Sequence, residues 1–469
     1  MDKIKKIYNC RLLKDSIYFK IIFVFWALIH SLSFGAYITS YFSPIIIIWG
    51  LLLLLKNVLF EDLLIKKSYM YILIVFLMLY VVTIIYNRQF NLVGNTKTLL
   101  WTAIMFFAIF VNERSTNKEK VYQDIRKLSI ALTIGIFCIS LISILMFCFD
   151  VYYRVNRGDG MLIPQGFWAA RLWGIYVDPN QGATISIISL VSSVILLLNS
   201  KRNSLILNSV SIINIIIEYI FLILTGSRGG ELSFIFVLTG LLYLGGDFIL
   251  RNKLKNKYIR KLSIIILSFI LSCGVASTFA NTKMVLGKIP SFTIKEQQKI
   301  SGALGIEVGK NEGNITMNRP DVSDEFDVSN GRLTLWKDGF RLIKYSPVFG
   351  FGDRNIFIKA KELTPGSSLE KQYVHNGFIH MLLSGGSVAV ITMVILLILI
   401  LIGILKRVLI ADVYSTKYHI YGCISLIVGA TLITSMFLTE LFYMNSFIST
   451  IFWIYIGFVV AIDKEDLVD

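Results

Sequence analysis

Cysteine, histidine and charged residues are scarce in this sequence, and each shortage excludes a class of function. There are five cysteines and four histidines among 469 residues, and only 16% of the residues are charged. The cysteines lie in or beside apolar segments, which argues against a disulfide framework and against a cysteine-based metal site. No aspartate-rich motif of the kind that holds Mg²⁺ is present, so we expect neither a metal nor another cofactor.

Long apolar runs dominate the rest of the sequence. Hydrophobic residues make up 55% of the chain and the mean hydropathy is +0.69, values that few soluble proteins reach. Runs of around twenty apolar residues fit helices that cross a ~30 Å hydrocarbon core, and the alternating pattern of a barrel is absent. We therefore predict an all-α polytopic membrane protein of about twelve spans. The spans are expected at 18–36, 42–56, 69–86, 98–112, 128–149, 180–199, 204–225, 230–249, 262–281, 376–404, 419–438 and 443–462.

The placement of the basic residues sets the expected topology. The net charge of +16 comes mostly from Lys and Arg in short links, as the positive-inside rule expects, and not from a nucleic-acid-binding patch. The basic links at 56–68, 113–127, 200–203, 250–261 and 405–418 all fall inside when both termini are cytoplasmic. The basic start of the chain leads into a full-length span, so we expect no cleavable signal peptide.

This topology divides the chain into three parts. Residues 1–281 hold spans 1–9 with short loops, and residues 376–469 hold spans 10–12 and a short cytoplasmic tail. Between them, residues 282–375 contain no span and are predicted to form an extracytoplasmic loop domain. The segment 150–179 is expected to be a second external loop.

One amphipathic helix is predicted inside the large loop, from Asn330 to Ile343. Ser329 or Asn330 is the expected N-cap, and Pro347 with two nearby glycines is expected to end the element. Its apolar residues fall on or near one face, which favours a helix lying along the membrane surface. They are Leu333, Trp336, Phe340 and Ile343.

Three arginines on the predicted outer side are candidate ligands for an anion. Arg228 lies in a glycine-containing turn between two spans, where backbone N–H groups and a guanidinium suit phosphate. Arg171 precedes a span that Asp178 or Asn180 is expected to cap. Arg332 lies in the first turn of the predicted loop helix, a position that favours a bound anion. An interfacial or solvated arginine is the alternative at each position.

His375 is the candidate general base, because it opens the tenth span at the outer face and an unperturbed histidine titrates at about pH 6.5. The alternative is a helix-start histidine bonded to water or backbone. His380 lies about 140° further around the helix, so the two do not form a metal-binding pair. Four further residues are candidates for supporting roles: Glu218 inside the seventh span, Glu440 at the outer end of the eleventh, Asn376 and Arg157.

The ordered set of motifs around these residues resembles the O-antigen ligase/polymerase superfamily, which contains the Wzy-type bacterial polysaccharide polymerases and their ligase relatives. The resemblance covers roughly 165–440. The motifs are Ser227-Arg228-Gly229, Arg171…Gly174…Asp178-Pro179-Asn180, Gly331-Arg332…Trp336…Pro347…Gly350…Gly352, and Val374-His375-Asn376.

The resemblance implies a GT-C-type, metal-independent glycosyltransferase that acts on undecaprenyl-pyrophosphate-linked sugars outside the cytoplasmic membrane. It implies that His375 deprotonates the acceptor hydroxyl and that Arg171, Arg228 and Arg332 bind the donor pyrophosphate. The hypothesis requires these side chains to converge beyond the external leaflet.

Polysaccharide polymerase, for O-antigen or capsule, is the favoured function, with a lipid-linked repeat unit as acceptor. An O-antigen ligase, which passes the glycan to the lipid A core, is the alternative within the superfamily. A flippase or other transporter of lipid-linked sugars is the alternative outside the enzymes, but it predicts repeats and charges along a path across the bilayer. Expected partners are the lipid-linked donor and acceptor, the bilayer, a flippase and a chain-length regulator, with no nucleic acid.

Overall fold

The computed structural model describes residues 15–60, 68–111, 119–156, 162–200, 203–250, 256–290, 293, 317, 331–410 and 415–467. Helices fill most of these ranges. The first nine helices in chain order are α1 (Ser16–His30), α2 (Gly35–Phe60), α3 (Ser68–Tyr86), α4 (Leu92–Ile104), α5 (Glu119–Cys148), α6 (Pro179–Leu198), α7 (Leu205–Thr225), α8 (Arg228–Leu250) and α9 (Lys257–Ser277). The later ones are α10 (Phe279–Leu286), α11 (Arg332–Ile343), α12 (Ile356–Leu363), α13 (Gly377–Leu405), α14 (Thr416–Ser435) and α15 (Phe447–Ala461). π-helical turns extend α4 over Met105–Phe110 and α13 over Lys406–Ile410.

Each predicted span coincides with one of these helices. Within the described residues, ten helices are long and apolar enough to cross a membrane, which confirms the prediction of an all-α polytopic membrane protein. The first and twelfth predicted spans correspond to α1 and α15, of 15 residues each. At 1.5 Å per residue such a helix is only about 22 Å long, shorter than the hydrocarbon core.

Local pairing explains why these two helices are shorter than predicted. After α1, the backbone of residues 31–33 pairs with the segment before α6: Ser33 N donates to Ile175 O (3.0 Å) and Val177 N donates to Ser31 O (3.0 Å). Before α15, the Ser446 hydroxyl accepts from Ser449 N (3.1 Å) and so caps the helix at that point. Apolar composition alone could not locate either boundary.

The segment expected to be an external loop contains a three-stranded antiparallel sheet, in the order β1 (Tyr152–Asn156), β2 (Leu162–Trp168), β3 (Arg171–Gly174). Ala169 and Ala170 both have positive φ, 50° and 57°, and form the two-residue turn between β2 and β3. This turn places Arg171 at the start of β3. The candidate Arg157 lies outside the described residues.

The chain forms two compact units, which are described separately. Unit 1 comprises residues 1–28, 38–128 and 329–469, and unit 2 comprises residues 29–37 and 129–328. The most buried candidate span is α6 in unit 2, which packs against α7 and α8.

In unit 1, α13 is broken at Gly386 (φ 73°, ψ −173°), and the segment after α11 fills the break. Phe351 N donates to Leu383 O (2.8 Å), Gly352 N donates to Ser384 O (2.9 Å), and Ser387 N donates to Pro347 O (2.9 Å). Backbone groups freed inside a membrane helix need such partners, because lipid offers none. The segment 347–352 is thereby fixed against the middle of the helix that begins just after His375.

The predicted loop helix is present as α11. It begins at Arg332 after Gly331 (φ 76°), and the expected caps Ser329 and Asn330 lie outside the described residues. Leu333 and Phe340, two of the predicted apolar-face residues, are 54% and 52% exposed. Gly339 lets α11 approach α13 closely, since a Cβ there would lie 2.9 Å from the Ile379 side chain. The buried residues of α11 are Leu335, Gly339, Leu342 and Ile343.

Candidate functional site

In unit 2, Arg171 is held by two hydrogen bonds. Its Nε donates to the Thr225 carbonyl (2.9 Å) and its Nη2 donates to Asn180 Oδ1 (2.6 Å). Asn180 is itself oriented by Asp178, whose Oδ1 accepts from the Asn180 backbone N (2.8 Å) and from its Nδ2 (3.0 Å). Asp178, one of the two predicted caps, is also the N-cap of α6. The Arg171 guanidinium therefore has a fixed, half-buried position.

Arg171 binds the carbonyl that precedes the turn carrying Arg228. Gly226 ends α7 in the left-handed conformation (φ 58°), which glycine adopts without strain. The Ser227 hydroxyl accepts from Gly230 N (3.1 Å), and α8 then begins at Arg228 with an exposed side chain. The structure thus associates Arg171 with the Arg228 turn, although the two are far apart in sequence.

A buried lysine that the sequence reasoning missed also reaches this region. Lys283 in α10 donates from Nζ to the Ala170 carbonyl at 2.5 Å, and the residue is only 9% exposed. Ala170 directly precedes Arg171, so Lys283 supports the turn that positions the arginine. The residue types around Lys283 gave no motif, and the contact spans 113 residues of sequence.

In unit 1, His375 lies at the start of α13 in an unusual backbone conformation. Its φ is +48°, a left-handed value that non-glycine residues seldom adopt and that is found often at functional sites. The next residue, Asn376, caps α13 by accepting from Phe378 N and Ile379 N, each at 3.0 Å. The His375 side chain is half-buried.

Two further candidates of unit 1 adjoin the same helix start. The Asn376 amide Nδ2 donates to Met436 O (3.1 Å), just beyond α14. The guanidinium of Arg332 lies 5.6 Å from the centre of the Phe437 ring, a cation–π contact. The connection that begins with Met436 and Phe437 continues to Glu440, whose carbonyl accepts from Ser446 Oγ (2.7 Å). The structure therefore brings Asn376 and Arg332 to the connection that carries Glu440.

Next to this region is a buried pair, His380 with Asp353, that the sequence reasoning did not find. His380 Nε2 donates to Asp353 Oδ1 (3.0 Å), and both residues are at most 3% exposed. Asp353 Oδ2 accepts from Thr98 Oγ1 (3.0 Å) and pairs with Arg354 Nε (3.0 Å), and its backbone N donates to the Tyr80 hydroxyl (3.1 Å).

The charge state of Asp353 follows from these contacts. Burial alone would raise the pKa of Asp353, but the hydrogen bond and charge of His380, together with Arg354 and Thr98, lower it below the ordinary value. The aspartate is therefore ionised at neutral pH. Its pair with His380 joins α13, five residues after His375, to the segment that carries Asp353.

Glu218, the intramembrane carboxylate, lies fully inside unit 2 on α7. Its Oε2 accepts from Ser140 Oγ of α5 at 2.9 Å. Seven residues, or two helical turns, separate it from Thr225, so it lies on the same side of α7 as the Arg171 contact. Among the described residues, no three His, Cys, Asp or Glu side chains are grouped so that they could hold a metal ion.

Comparison with known proteins concerns the chain's family. Residues 213–394 match the family model described as O-Antigen ligase. The match supports membership of the O-antigen ligase/polymerase superfamily. It also supports a polysaccharide-related, multi-pass membrane enzyme. No curated protein matches the chain. The matched range includes Arg228, Arg332 and His375, whereas Arg171 and Glu440 lie outside it.

Proposed function

We propose that the chain is a glycosyltransferase that moves a glycan from a lipid-linked diphosphate to an acceptor hydroxyl at the outer face of the cytoplasmic membrane. The observation that carries the proposal is the match to the O-antigen ligase family over the range that holds Arg228, Arg332 and His375. The membrane-spanning helices fit a substrate whose carrier is dissolved in the bilayer.

His375 is the proposed general base. The acceptor oxygen attacks the anomeric carbon of the donor sugar, and its proton passes to the His375 imidazole. The bond between the anomeric carbon and the diphosphate oxygen breaks, and the electron pair leaves with the diphosphate. The left-handed backbone of His375 and the cap formed by Asn376 hold the imidazole at the helix start.

Arg171, Arg228 and Arg332 are the proposed ligands of the diphosphate. A guanidinium matches phosphate oxygens in a bidentate manner, and each charge-assisted hydrogen bond contributes about 1.5–3 kcal/mol. These cations stabilise the charge that develops on the leaving diphosphate, and the proposed step does not require a metal.

The acceptor distinguishes the two candidate enzymes. We favour a polysaccharide polymerase, which uses a lipid-linked repeat unit as acceptor, with undecaprenyl pyrophosphate as the carrier. The description of the family model favours an O-antigen ligase as the second candidate, with the lipid A core as acceptor. A flippase and a chain-length regulator are the proposed partners of the polymerase.

In vitro turnover tests the proposal. The purified full chain is incubated in the presence of a chelator with the lipid-diphosphate-linked repeat unit isolated from host membranes, with and without lipid A core. Products longer than one repeat unit without the core support the polymerase. Transfer that occurs only to the core supports the ligase. Absence of transfer to either acceptor, in a preparation that remains monodisperse, contradicts the proposed function.

A further inference from the structure

The three-stranded sheet of unit 2 has one face against the helices and one open face. Because the strands are antiparallel, side chains alternate between the two faces, and directly opposite residues share a face. Phe167 packs on Phe147 of α5, with the ring centres 5.0 Å apart, so its face is the inner one. The inner residues of β2 and β3 are at most 9% exposed: Ile163, Gln165, Phe167 and Leu172.

The open face carries aromatic rings and a guanidinium. Tyr152 and Trp168 are 41% and 40% exposed, and Arg154 is exposed as well. Arg154 Nε donates to the Tyr152 hydroxyl (2.7 Å), and the guanidinium carbon lies 5.7 Å from the centre of the Trp168 ring. The ring of Trp173, on β3, meets Trp168 edge to face at 6.4 Å between centres. These four side chains come from all three strands and form one surface, the aromatic platform.

The aromatic platform is continuous with Arg171. Trp168 and Arg171 are directly opposite each other across the turn between β2 and β3, so both side chains lie on the open face. Arg171 in turn binds the Thr225 carbonyl, just before the turn that carries Arg228. Both arginines are proposed ligands of the donor diphosphate. The platform therefore lies beside the position proposed for that diphosphate.

The chemistry of the platform fits a sugar chain. The π face of an aromatic ring is negative, so it attracts the positively polarised C–H groups on the face of a sugar ring. The bond to Tyr152 uses one of the five N–H donors of Arg154 and fixes the guanidinium, whose other N–H groups suit hydroxyl or carboxylate oxygens. A hydrocarbon chain offers no partner for a guanidinium. Of the two groups that adjoin the donor diphosphate, the glycan and the lipid, the glycan is the one that matches.

We propose that the aromatic platform binds the sugar residues that adjoin the diphosphate of the lipid-linked donor, an inference that rests on the proposed function. A sugar ring stacks on Trp168, and Arg154 donates hydrogen bonds to its oxygen atoms. Tyr152 and Trp173 hold these two side chains in place. The platform thus binds the glycan while Arg171 and Arg228 bind the diphosphate.

Binding of the free glycan tests the platform without turnover. The repeat-unit oligosaccharide is released from its carrier lipid by mild acid, dephosphorylated, and titrated into the purified full chain in nanodiscs. Saturation-transfer NMR measures the binding. We expect saturable binding, and we expect Trp168→Ala to weaken it about tenfold, because a stacked ring is lost. Trp168→Phe keeps an aromatic ring and should weaken the binding less than Trp168→Ala does.

Tyr153→Ala is the matched control. Tyr153 is 45% exposed on the same edge strand, but it pairs with Gln165 and so belongs to the other face. Its variant should bind the oligosaccharide as the natural chain does. Equal binding by Trp168→Ala and Tyr153→Ala overturns the proposal, as does the absence of saturable binding to the natural chain.

Comparison with turnover separates this inference from the proposed function. A chain that binds the oligosaccharide through Trp168 but transfers no glycan supports the platform and contradicts the proposed enzyme. A chain that transfers glycan without binding the free oligosaccharide contradicts the platform alone.

Fluorescence quenching tests whether the platform is a membrane anchor instead, since Trp and Tyr are also frequent at membrane interfaces. The emission of Trp168 is obtained as the difference between the natural chain and Trp168→Phe. In nanodiscs that contain lipids with brominated acyl chains, this emission should remain unquenched. Quenching would place Trp168 in the bilayer and overturn the proposal.

Discussion

At the scale of single residues, His375 combines a half-buried imidazole with a strained backbone at the start of α13. We predict that His375→Ala lowers the rate of glycan transfer by about 10²–10⁴, the usual contribution of a general base. Membrane insertion and the unfolding midpoint should change little, since the cap belongs to Asn376. The measurement is turnover of purified protein with its lipid-linked donor.

The matched control is His419→Ala. His419 lies in the first turn of α14, with its Nδ1 2.7 Å from Ser415 O. It has no role in the proposed chemistry, so its variant should keep normal transfer. Polymer of normal length from His375→Ala cells would remove His375 from the mechanism.

The exposed Arg228 at the start of α8 allows a graded test of diphosphate binding. Arg228→Ala should lower kcat/KM by about 10- to 100-fold, since it loses one or two charge-assisted hydrogen bonds. Arg228→Lys keeps the charge but not the bidentate geometry, so its kcat/KM should lie between those of the natural protein and Arg228→Ala. Arg341→Ala, an exposed arginine in the last turn of α11, is the control and should behave as the natural protein. Equal activity of Arg228→Ala and Arg341→Ala would contradict the assignment.

The sequence was informative about residues that stand out from their surroundings. Arg228 and His375 interrupt or border apolar runs, and so they could be selected without a structure. Lys283 and the His380–Asp353 pair could not, because their roles arise from contacts across 113 and 27 residues. The spacing of His375 and His380 argues against a metal site. That spacing contains no information about Asp353, which lies on another element.

At the scale of elements, apolar length predicted the helices well and the connections poorly. The strand β1 has five residues and is exposed along most of its length, so it lacks the alternating pattern that marks a strand. The burial of β3 alternates, but over only four residues, a run too short to predict a strand from sequence. The glycines after α11 were expected to end the helix. Their further role, to let residues 347–352 pair with the broken α13, depends on tertiary contact and has no local signature.

Gly350 tests the importance of this pairing. A Cβ at Gly350 (φ 65°) would lie 2.6 Å from Gly386 N and 2.7 Å from Leu383 O, so Gly350→Ala should force the segment away from α13. Gly366 has a similar φ of 82° but open space around it, so Gly366→Ala carries only the left-handed strain of about 1–2 kcal/mol. We expect the unfolding midpoint to fall at least twice as far for Gly350→Ala. Equal shifts of the unfolding midpoint for the two variants would show that the pairing of residues 347–352 with α13 contributes little to stability.

The Asp353–His380 pair should make stability dependent on pH in the acid range. The pKa of Asp353 is lowered in the folded protein, so its contribution is present above the unfolded value of about 3.9 and is lost as pH falls through the folded value. At neutral pH, Asp353→Asn should destabilise the protein by about 3–5 kcal/mol, as for other broken buried pairs. Its unfolding midpoint should also vary less with pH below pH 4 than that of the natural chain.

Glu362→Gln is the control for that measurement. Glu362 forms an exposed pair with Lys359 at 2.8 Å, and such pairs contribute little. Its variant should therefore match the natural chain at every pH. If the unfolding midpoint of Asp353→Asn varies with acid pH as much as that of Glu362→Gln, other carboxylates cause the pH dependence.

At the scale of the whole molecule, the distribution of basic residues determines which face holds the proposed chemistry. The short basic links predict that both termini are cytoplasmic and that the connection containing α11 is external. The proposed donor is presented on the outer leaflet, so the function depends on this orientation. The helices occupy the same residues whichever way the chain is oriented in the membrane. Labelling from one side of the membrane distinguishes the two orientations.

Single cysteines provide that labelling, on a background in which the five native cysteines are replaced by serine. Tyr345, just after α11, is 59% exposed, and the Asp463 side chain in the tail is 67% exposed. Tyr345→Cys should react with a membrane-impermeant maleimide in intact cells, whereas Asp463→Cys should react only after the membrane is permeabilised. The similar exposure of the two sites makes the membrane the main cause of any difference. Labelling of Asp463→Cys but not Tyr345→Cys in intact cells would place α11 in the cytoplasm and exclude transfer at the outer face.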